Sequence, residues 1–324
     1  MEEQTLVLGV AKPRQTSTAA DLLANIQRGC IERAMADPQL PLWPEPTRGV
    51  PNAVLRSALF GAIKRGRRRY MERELVASVR GISITYTGPR LDQSDLDVWE
   101  GALHLARSVK LGNRVEFTEK GFLRLIGRGG PSGASIGKSD REWLRKVLVR
   151  LTATAIEITQ GPYTYCGSLI DEYSRDSSSG RYVVTLNPHI KVIFNHDGWT
   201  RIDWSIRHAL IGHPLAQWLH GFYSTHASPM PYKAETLHFL CGSEAGRGAR
   251  TSAERHKALF DWIGDSLIPA LEALEQTCNH VGQRFSWEIS GDWLVSVSHT
   301  PSASQLKHRK SKAAPLRGRT VRRC

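Results

Sequence analysis

The chain of 324 residues is 40% hydrophobic and 23% charged, which is typical of a globular protein and leaves room for two domains. That composition excludes a fibrous or wholly disordered chain, while the formal charge of +13 and a pI near 9.8 favour a polyanionic partner. No apolar run reaches the length of a membrane span, and the first residues lack the basic start of a secretion signal. We therefore expect a cytoplasmic protein with no membrane partner.

Five cysteines are scattered without a C-x-x-C pair, which fits a reducing compartment better than a disulfide framework or a zinc finger. The positive charge is concentrated near the end of the chain. Residues 307–324 hold eight lysines and arginines and no acid, so the rest of the chain is only mildly basic. We predict that residues 301–324 form a disordered basic tail that attracts phosphates without reading sequence.

Residues 1–50 are predicted to be a flexible N-terminal region, with a helix at residues 18–36. Residues 39–43, with the sequence QLPLW, have prolines on both sides, which favour an extended backbone. The two leucines and Trp43 can then be presented together as a docking point for another protein. The alternative is that they fold back onto the core.

Residues 51–200 are predicted to form a first domain. It begins with a helix at residues 51–60, and the basic run at residues 64–69 suits either a phosphate-contacting arm or a solvated turn. Apolar periodicity and turn residues predict the following elements: a strand at 82–86, a helix at 95–110, a strand at 115–117, a helix at 121–126, a helix capped by Ser139, strands at 155–159, 163–171 and 181–186, and a mobile connector at 174–180.

Residues 201–300 are predicted to form a second domain, which starts with a helix at residues 203–223. A short helix at 235–241 then stops at a glycine, and a second helix opens at Thr251 or Ser252, since either hydroxyl can cap it. Its inward residues recur at helical spacing: Leu259, Trp262, Ile263 and Leu267. A β-hairpin follows, with strands at 285–289 and 293–297 around a Ser-Gly-Asp turn.

Helix, turn, helix and hairpin is the order of a winged-helix DNA reader, whose second helix lies in the major groove. The alternative is an ordinary α+β packing unit with a solvated basic helix end. The first domain repeats this order of elements, although no residue-level repeat is visible. We predict an α+β fold of two tandem winged-helix (helix-turn-helix plus β-hairpin) domains with flexible N- and C-terminal tails.

Motifs for catalysis or cofactor binding are missing from the sequence. The segment from Gly133 to Ser139 resembles a phosphate-binding loop, but Ser132 occupies the position of a required glycine. Four histidines at positions 208, 213, 220 and 226 lack the spacing of a helical metal pair, so we interpret them as packing, capping or phosphate-contacting residues. We expect no metal, no cofactor and no enzyme activity.

The segment P-N-x-x-x-R-S-A-L-F at residues 51–60 resembles the opening motif of the TrfA-type plasmid replication initiators. Further residues agree in order with that family: Ile84 to Gly88, Leu91, Asp95, Val98 and Trp99, Leu148, Leu151 to Thr154, Glu235 and Thr236, and Cys241 to Ser243. The resemblance runs from residue 39 to the terminal hairpin. It implies two winged-helix domains that bind direct repeats at a plasmid origin, strand opening nearby, recruitment of host replication proteins, and a homodimer in equilibrium with the monomer.

The QLPLW segment is similar to the Q-L-S-L-F peptide with which this family engages the host sliding clamp. The resemblance implies an extended peptide in which one glutamine hydrogen-bonds at the pocket edge while the apolar side chains fill the pocket. The clamp-binding candidates are Gln39, Leu40, Leu42 and Trp43. Pro41 and Trp43 depart from the family pattern.

Our hypothesis is a plasmid replication initiator whose second domain reads bases while the first contacts the DNA backbone and governs self-association. The candidate DNA-binding residues are Arg247, Arg250, Ser252, Arg255, Lys257, Lys138, Arg141, Arg145, Lys64, Arg65 and Arg67. Pro269 departs from the family and predicts that the reading helix ends or kinks near Leu267. The alternatives are a winged-helix transcriptional repressor and an enzyme that nicks DNA.

Overall fold

The computed structural model describes residues 40–63, 66, 68–79, 81–109, 114–129, 135–160, 163–188, 190, 193–194, 198–302 and 305–306. The predicted helix at 18–36, Gln39, the basic residues Lys64, Arg65 and Arg67, and the tail from residue 307 onward lie outside the described residues.

The described chain has an α+β fold in which short strands alternate with helices. Its first part contains β1 (Thr47–Pro51), α1 (Asn52–Leu55), β2 (Phe60–Gly61), β3 (Tyr70–Val76), β4 (Ser83–Pro89), β5 (Leu91–Asp92), α2 (Gln93–Ala106), β6 (Arg114–Thr118), α3 (Glu119–Leu125), α4 (Lys138–Thr152), β7 (Ala155–Gln160), β8 (Tyr163–Gly167), β9 (Ile170–Asp176) and β10 (Arg181–Leu186). Its second part contains β11 (Trp199–Asp203), α5 (Trp204–Ala209), α6 (Pro214–Ser224), β12 (Tyr232–Lys233), α7 (Ala234–Leu240), α8 (Ser252–Trp262), a π-helical turn (Ile263–Leu267), α9 (Ile268–His280), β13 (Phe285–Ile289) and β14 (Leu294–His299).

The strands form several small sheets. An antiparallel sheet has the order β3-β4-β7-β8, and a second has the order β6-β10-β9. Near the end of the chain, β12, β14 and β13 form an antiparallel sheet. Strand β1 pairs with β11, and β2 pairs in parallel with β5.

The helices form where capping and apolar spacing agree. Helix α2 begins with a capping box in which Asp92 accepts from the backbone of Asp95 and the Asp95 carboxylate accepts from the backbone of Asp92. Along α2, Leu96, Trp99 and Leu103 are buried at helical spacing. Helix α4 also buries apolar residues at helical spacing. Its cap position is occupied by Gly137, whereas we predicted Ser139 there.

Buried apolar residues form two clusters. One spans residues 40–202, and the other spans residues 206–297. We call the parts of the chain around them the first and second units. In the part that the structure describes, no helix is both long and apolar enough to cross a membrane.

Several element boundaries differ from prediction. The helix expected at residues 51–60 is only the short α1. The helix expected at 203–223 is two helices, because Gly212 adopts a φ of +97° and Pro214 opens α6. The connector expected at 174–180 begins later, since β9 continues to Asp176.

The apolar residues of the QLPLW segment are not displayed together, which corrects our expectation. Leu40 and Trp43 are buried, with 2% and 4% of their surface exposed, whereas Leu42 is 64% exposed. The Trp43 indole stacks on Phe194 with ring centroids 6.1 Å apart, and its Nε1 donates to Nδ1 of His104 at 3.1 Å. The indole is therefore part of the core because both its ring and its N–H group have partners there.

His104 stays neutral in this position. Burial and the nearby Arg48 charge lower the pKa of His104 to about 4, although hydrogen bonding to Glu45 acts in the opposite direction. Since Nδ1 accepts from Trp43, the single imidazole proton is on Nε2, which lies 3.1 Å from a carboxylate oxygen of Glu45. This cluster attaches residues 43–45 to helix α2.

Candidate nucleic-acid interface

Helix α7 ends in a Schellman motif. The backbone N–H of Gly242 donates to the carbonyl of Phe239, and that of Ser243 donates to the carbonyl of His238, each at 3.1 Å. Gly242 has a φ of +71°, and a Cβ there would lie 2.9 Å from Nη2 of Arg90. The helix therefore stops at the glycine that the sequence indicated.

Helix α8 begins at a capping box. Thr251 Oγ1 accepts from the backbone N–H of Glu254 at 3.1 Å, and the Glu254 carboxylate accepts from the backbone N–H of Thr251 at 3.2 Å. The same carboxylate accepts from the backbone of Arg250 at 2.6 Å. These bonds satisfy backbone N–H groups at the start of α8, where the side chains are exposed.

The first half of α8 projects into solvent. Every residue from 251 to 257 is exposed, and the first buried residue of the helix is Trp262. Ser252, Arg255 and Lys257 lie on this projecting segment, and Arg250, which is also exposed, directly precedes it. A capped helical end that carries positive charge and touches little of the protein is available to a polyanion.

The candidates on α8 point in different directions. Ser252 and Arg255 line a cleft of about 620 Å³ with Arg247 and, across it, Leu75 of strand β3. Lys257 lies outside that cleft, on the helix face turned away from the core, where its Nζ is 2.7 Å from a carboxylate oxygen of Asp261. The structure thus groups Arg247, Ser252 and Arg255, but not Lys257.

The sequence predicts that the reading helix ends or kinks near Leu267; the structure has a π-helical interruption that ends at Leu267, but the helix does not stop there. The chain passes from α8 through the π-helical turn into α9, so it stays helical to His280. Pro269 lies in the first turn of α9, directly after the π-helical turn. Because proline lacks the N–H of a regular helical bond, a local change of helical register accommodates it without ending the helix.

The predicted hairpin is present beside α8. Strands β13 and β14 pair from Phe285 with His299 to Ile289 with Val295, and β12 adds a third strand. The turn places Trp293 at a φ of +56°, where its carbonyl accepts from the backbone of Ala234 at 2.8 Å. The hairpin is therefore bonded to the start of α7.

The connector between α7 and α8 is attached to the first unit by charges that the sequence did not reveal. The Glu244 carboxylate lies within ion-pair distance of three arginines: Arg90 at 2.9 Å, Arg247 at 2.5 Å and Arg69 at 3.3 Å. Burial opposes its ionisation, but Arg90 and Arg247 outweigh that effect and lower the pKa of Glu244. Arg247 is therefore shared between this carboxylate and the cleft.

A similar arrangement occurs in the first unit. Nε of Arg141, of Arg145 and of Arg175 lies 3.6, 3.7 and 3.9 Å from the carboxylate of the buried Glu119. The α4 arginines are nevertheless 38% exposed, so the group presents net positive charge to solvent. Lys138, at the start of α4, is 90% exposed and lies 3.9 Å from Glu142. Sequence spacing predicted Arg141 and Arg145, whereas Arg175 comes from a distant strand.

The histidines of residues 208–226 are used structurally. His208 stacks on Trp204 with ring centroids 6.3 Å apart, and His213 precedes α6 as its cap residue. Burial lowers the pKa of His220 to about 3, so it is neutral. His226 contacts the Phe222 carbonyl through Nδ1 at 2.9 Å. Among the described residues, no group of three or more His, Cys, Asp or Glu side chains is arranged to hold a metal ion.

Comparison with known proteins assigns the chain to a family. It is 27% identical over 267 residues to the plasmid replication initiator protein TrfA of Escherichia coli, an alignment that covers 80% of this chain and 68% of that protein. A crystal structure of domains 2 and 3 of RctB aligns with a TM-score of 0.48 and 13% identity, over 75% of this chain and 95% of that one. The sequence model of the TrfA protein family matches residues 6–268. Because that match spans most of the sequence, the chain belongs to the TrfA family of plasmid replication initiators.

Proposed function

We propose that this initiator binds direct repeats in the double-stranded DNA of a plasmid origin, with α7, α8 and the β12-β14-β13 sheet acting as a winged helix. Helix α8 enters the major groove, and the hairpin acts as the wing. The observation that carries the proposal is the projecting half of α8, which is capped, exposed on all sides and basic. Binding then promotes strand opening nearby and recruits host replication proteins.

The first unit contacts phosphates in this proposal. Arg141, Arg145 and Lys138 supply exposed positive charge along α4, and Lys64, Arg65 and Arg67 add more from outside the described residues. Such contacts fix the position of a protein on the duplex but carry no sequence information. The first unit is also where we propose that a homodimer in equilibrium with the monomer forms.

Alanine substitutions on α8 test the assignment. Replacing Arg250, Ser252, Arg255 and Lys257 together should abolish the footprint on origin repeats but leave weak binding to unrelated DNA. Arg255→Ala alone should weaken binding to the repeat by about 1–3 kcal/mol, the typical value of one specific base contact. The measurement is titration of repeat and scrambled duplexes at one fixed salt concentration.

The matched control is Arg114→Ala, which removes a 65% exposed arginine from strand β6. It should leave the preference for the repeat unchanged. An unaltered footprint for the fourfold variant would show that α8 is not the reading helix.

Clamp binding is a further part of the proposal that the burial of Trp43 constrains. Only Leu42 of the described clamp-binding candidates is exposed, and releasing Trp43 from the core would cost on the order of 3–5 kcal/mol. We therefore expect weak binding of purified clamp by the intact protein. Leu42→Ala should reduce clamp capture if the segment binds, while binding that is indifferent to Leu42 would exclude it.

A winged-helix repressor is the alternative within the same fold. A strand-opening assay on origin DNA, with the protein and host replication proteins present, separates the two functions. Only an initiator makes the AT-rich strands accessible to a single-strand probe. We also propose that the protein is not a catalyst. Relaxation of supercoiled origin DNA by the protein with a divalent metal would instead identify a nicking enzyme.

A further inference from the structure

An aromatic side chain occupies the outward face of α8. Ala253, Lys257 and Phe260 follow one another at helical spacing on the side away from the buried Trp262. Phe260 is 55% exposed, although aromatic side chains on a solvated helix face are usually packed. Of these three residues Lys257 carries charge, and its Nζ lies 2.7 Å from a carboxylate oxygen of Asp261.

The hairpin holds this phenylalanine in place. The rings of Phe260 and Trp293 meet edge to face, with centroids 5.6 Å apart and an interplanar angle of 89°. Trp293 itself is 36% exposed and has a φ of +56°, a left-handed conformation that favours glycine and costs a residue with a side chain roughly 1–2 kcal/mol. The hairpin turn holds this conformation, since the backbone N–H of Trp293 donates to the carbonyl of Ser290 at 3.0 Å and its carbonyl accepts from the N–H of Ala234 at 2.8 Å.

The chemistry of the major groove suggests a role for an exposed aromatic ring on α8. Thymine alone among the four bases displays a methyl group there, and small apolar and phenyl side chains are its usual contacts. Lys257, one helical turn before the aromatic ring, would bind a phosphate that flanks such a methyl group.

We propose that Phe260, braced by Trp293, contacts the 5-methyl group of a thymine in the major groove and so contributes to recognition of the repeat. The inference rests on the proposed function, since it needs α8 to lie in that groove. Phe260 would then be a specificity-determining residue, and Trp293 a positioning residue that acts through it.

Replacement of thymine by deoxyuridine tests this contact, because it removes the methyl group and leaves every hydrogen-bonding group in place. The probe is a synthetic duplex of the repeat that the wild-type protein protects, with one thymine changed at a time. Wild-type protein should bind about fourfold more weakly at one or two positions, the loss expected for one buried methyl group. Phe260→Ala should bind the unmodified repeat more weakly and should not distinguish thymine from uracil at those positions.

Phe239→Ala is the matched control, because Phe239 is a 64% exposed phenylalanine on α7 that lines the cleft beside Leu75. It should keep the wild-type response to each uracil. Trp293→Gly should fold with a melting temperature close to that of the wild type, since glycine suits the left-handed position, yet should lose part of the thymine preference.

The outcomes separate this inference from the proposed function. Specific binding that tolerates uracil at every position, or a Phe260→Ala protein with the wild-type uracil pattern, would overturn the inference and leave origin binding intact. Absence of any repeat-specific binding by the wild-type protein would overturn both.

Discussion

Glu100 illustrates how far the interior changes the chemistry of one residue. It is fully buried on α2, with a carboxylate oxygen 3.2 Å from Nε of Arg207. That same Nε donates to Asp97 at 2.7 Å, so Glu100 shares its counter-charge with a second carboxylate. Burial therefore dominates the favourable effect of Arg207 and raises the pKa of Glu100 to about 7.

Glu100→Gln should change how stability depends on pH. Because the folded-state pKa of Glu100 is above its ordinary value of 4.5, its favourable contribution is complete below that value and is lost as the pH rises to about 7. The free energy of unfolding of the variant, minus that of the wild type, should therefore increase by up to about 3 kcal/mol between pH 4.5 and pH 8. Urea titrations of both proteins across that range measure this difference.

Glu116→Gln is the control for the loss of a carboxylate, since Glu116 is 61% exposed on strand β6. The difference between its free energy of unfolding and that of the wild type should stay nearly constant over the same pH range. A constant difference for Glu100→Gln as well would show that Glu100 ionises as freely in the folded protein as in the unfolded chain.

At the scale of the element, α8 is a helix stabilised by its cap more than by burial. Seven consecutive exposed residues contribute little packing, and short isolated helices are marginal in water. The reciprocal bonds of Thr251 and Glu254 therefore contribute more than is usual to keeping this segment helical. A helix end that is ordered in advance loses less entropy when it binds DNA.

Thr251→Ala should weaken the first turn of α8 by about 1 kcal/mol, because one backbone N–H loses its acceptor. Hydrogen exchange of the amides at residues 252–256 should accelerate, and affinity for the origin repeat should fall without loss of sequence preference. Thr251→Ser keeps the hydroxyl and should behave like the wild type. Unchanged amide exchange in Thr251→Ala would mean that DNA-free α8 is ordered by other contacts.

At the scale of the whole molecule, the two units are joined by buried polar contacts. Arg207 of α5 is fully buried and reaches across to α2, where it bonds Asp97 and donates to the carbonyl and the side chain of Gln93 at 3.0 and 3.1 Å. Nε1 of Trp218 donates to the carbonyl of Ser57 at 3.1 Å. Such bonds are directional, so they define how the two units are oriented.

Arg207→Ala should be strongly destabilising, by about 3–5 kcal/mol, because it leaves two buried carboxylates without their cation. Loss of this contact should also uncouple the units, so that urea unfolding becomes broader or separates into two transitions. Lys138→Ala, at a side chain that is 90% exposed, provides the control. A single sharp transition at the wild-type midpoint would show that other contacts carry the coupling.

The sequence predicted much of the local structure around α8. The glycine that ends α7 and the hairpin around Ser290 to Asp292 are where local patterns indicated them, and the cap of α8 is Thr251, one of the two hydroxyl residues predicted for it. These features depend on bonds between residues a few positions apart, and such bonds are visible in sequence. The TrfA family was also evident from ordered motifs, and the family match confirms it.

The remaining features could be determined only from the tertiary structure, because they depend on contacts between residues far apart in the chain. The burial of Trp43 needed Phe194 and His104, the Glu244 cluster needed Arg69 and Arg90, and the pairing of Phe260 with Trp293 joined a helix to a hairpin turn. A charged or aromatic residue looks the same in sequence whether it faces solvent or a partner a hundred residues away. Local bonding thus specified where many of the elements begin and end, whereas long-range packing determined which side chains remain exposed.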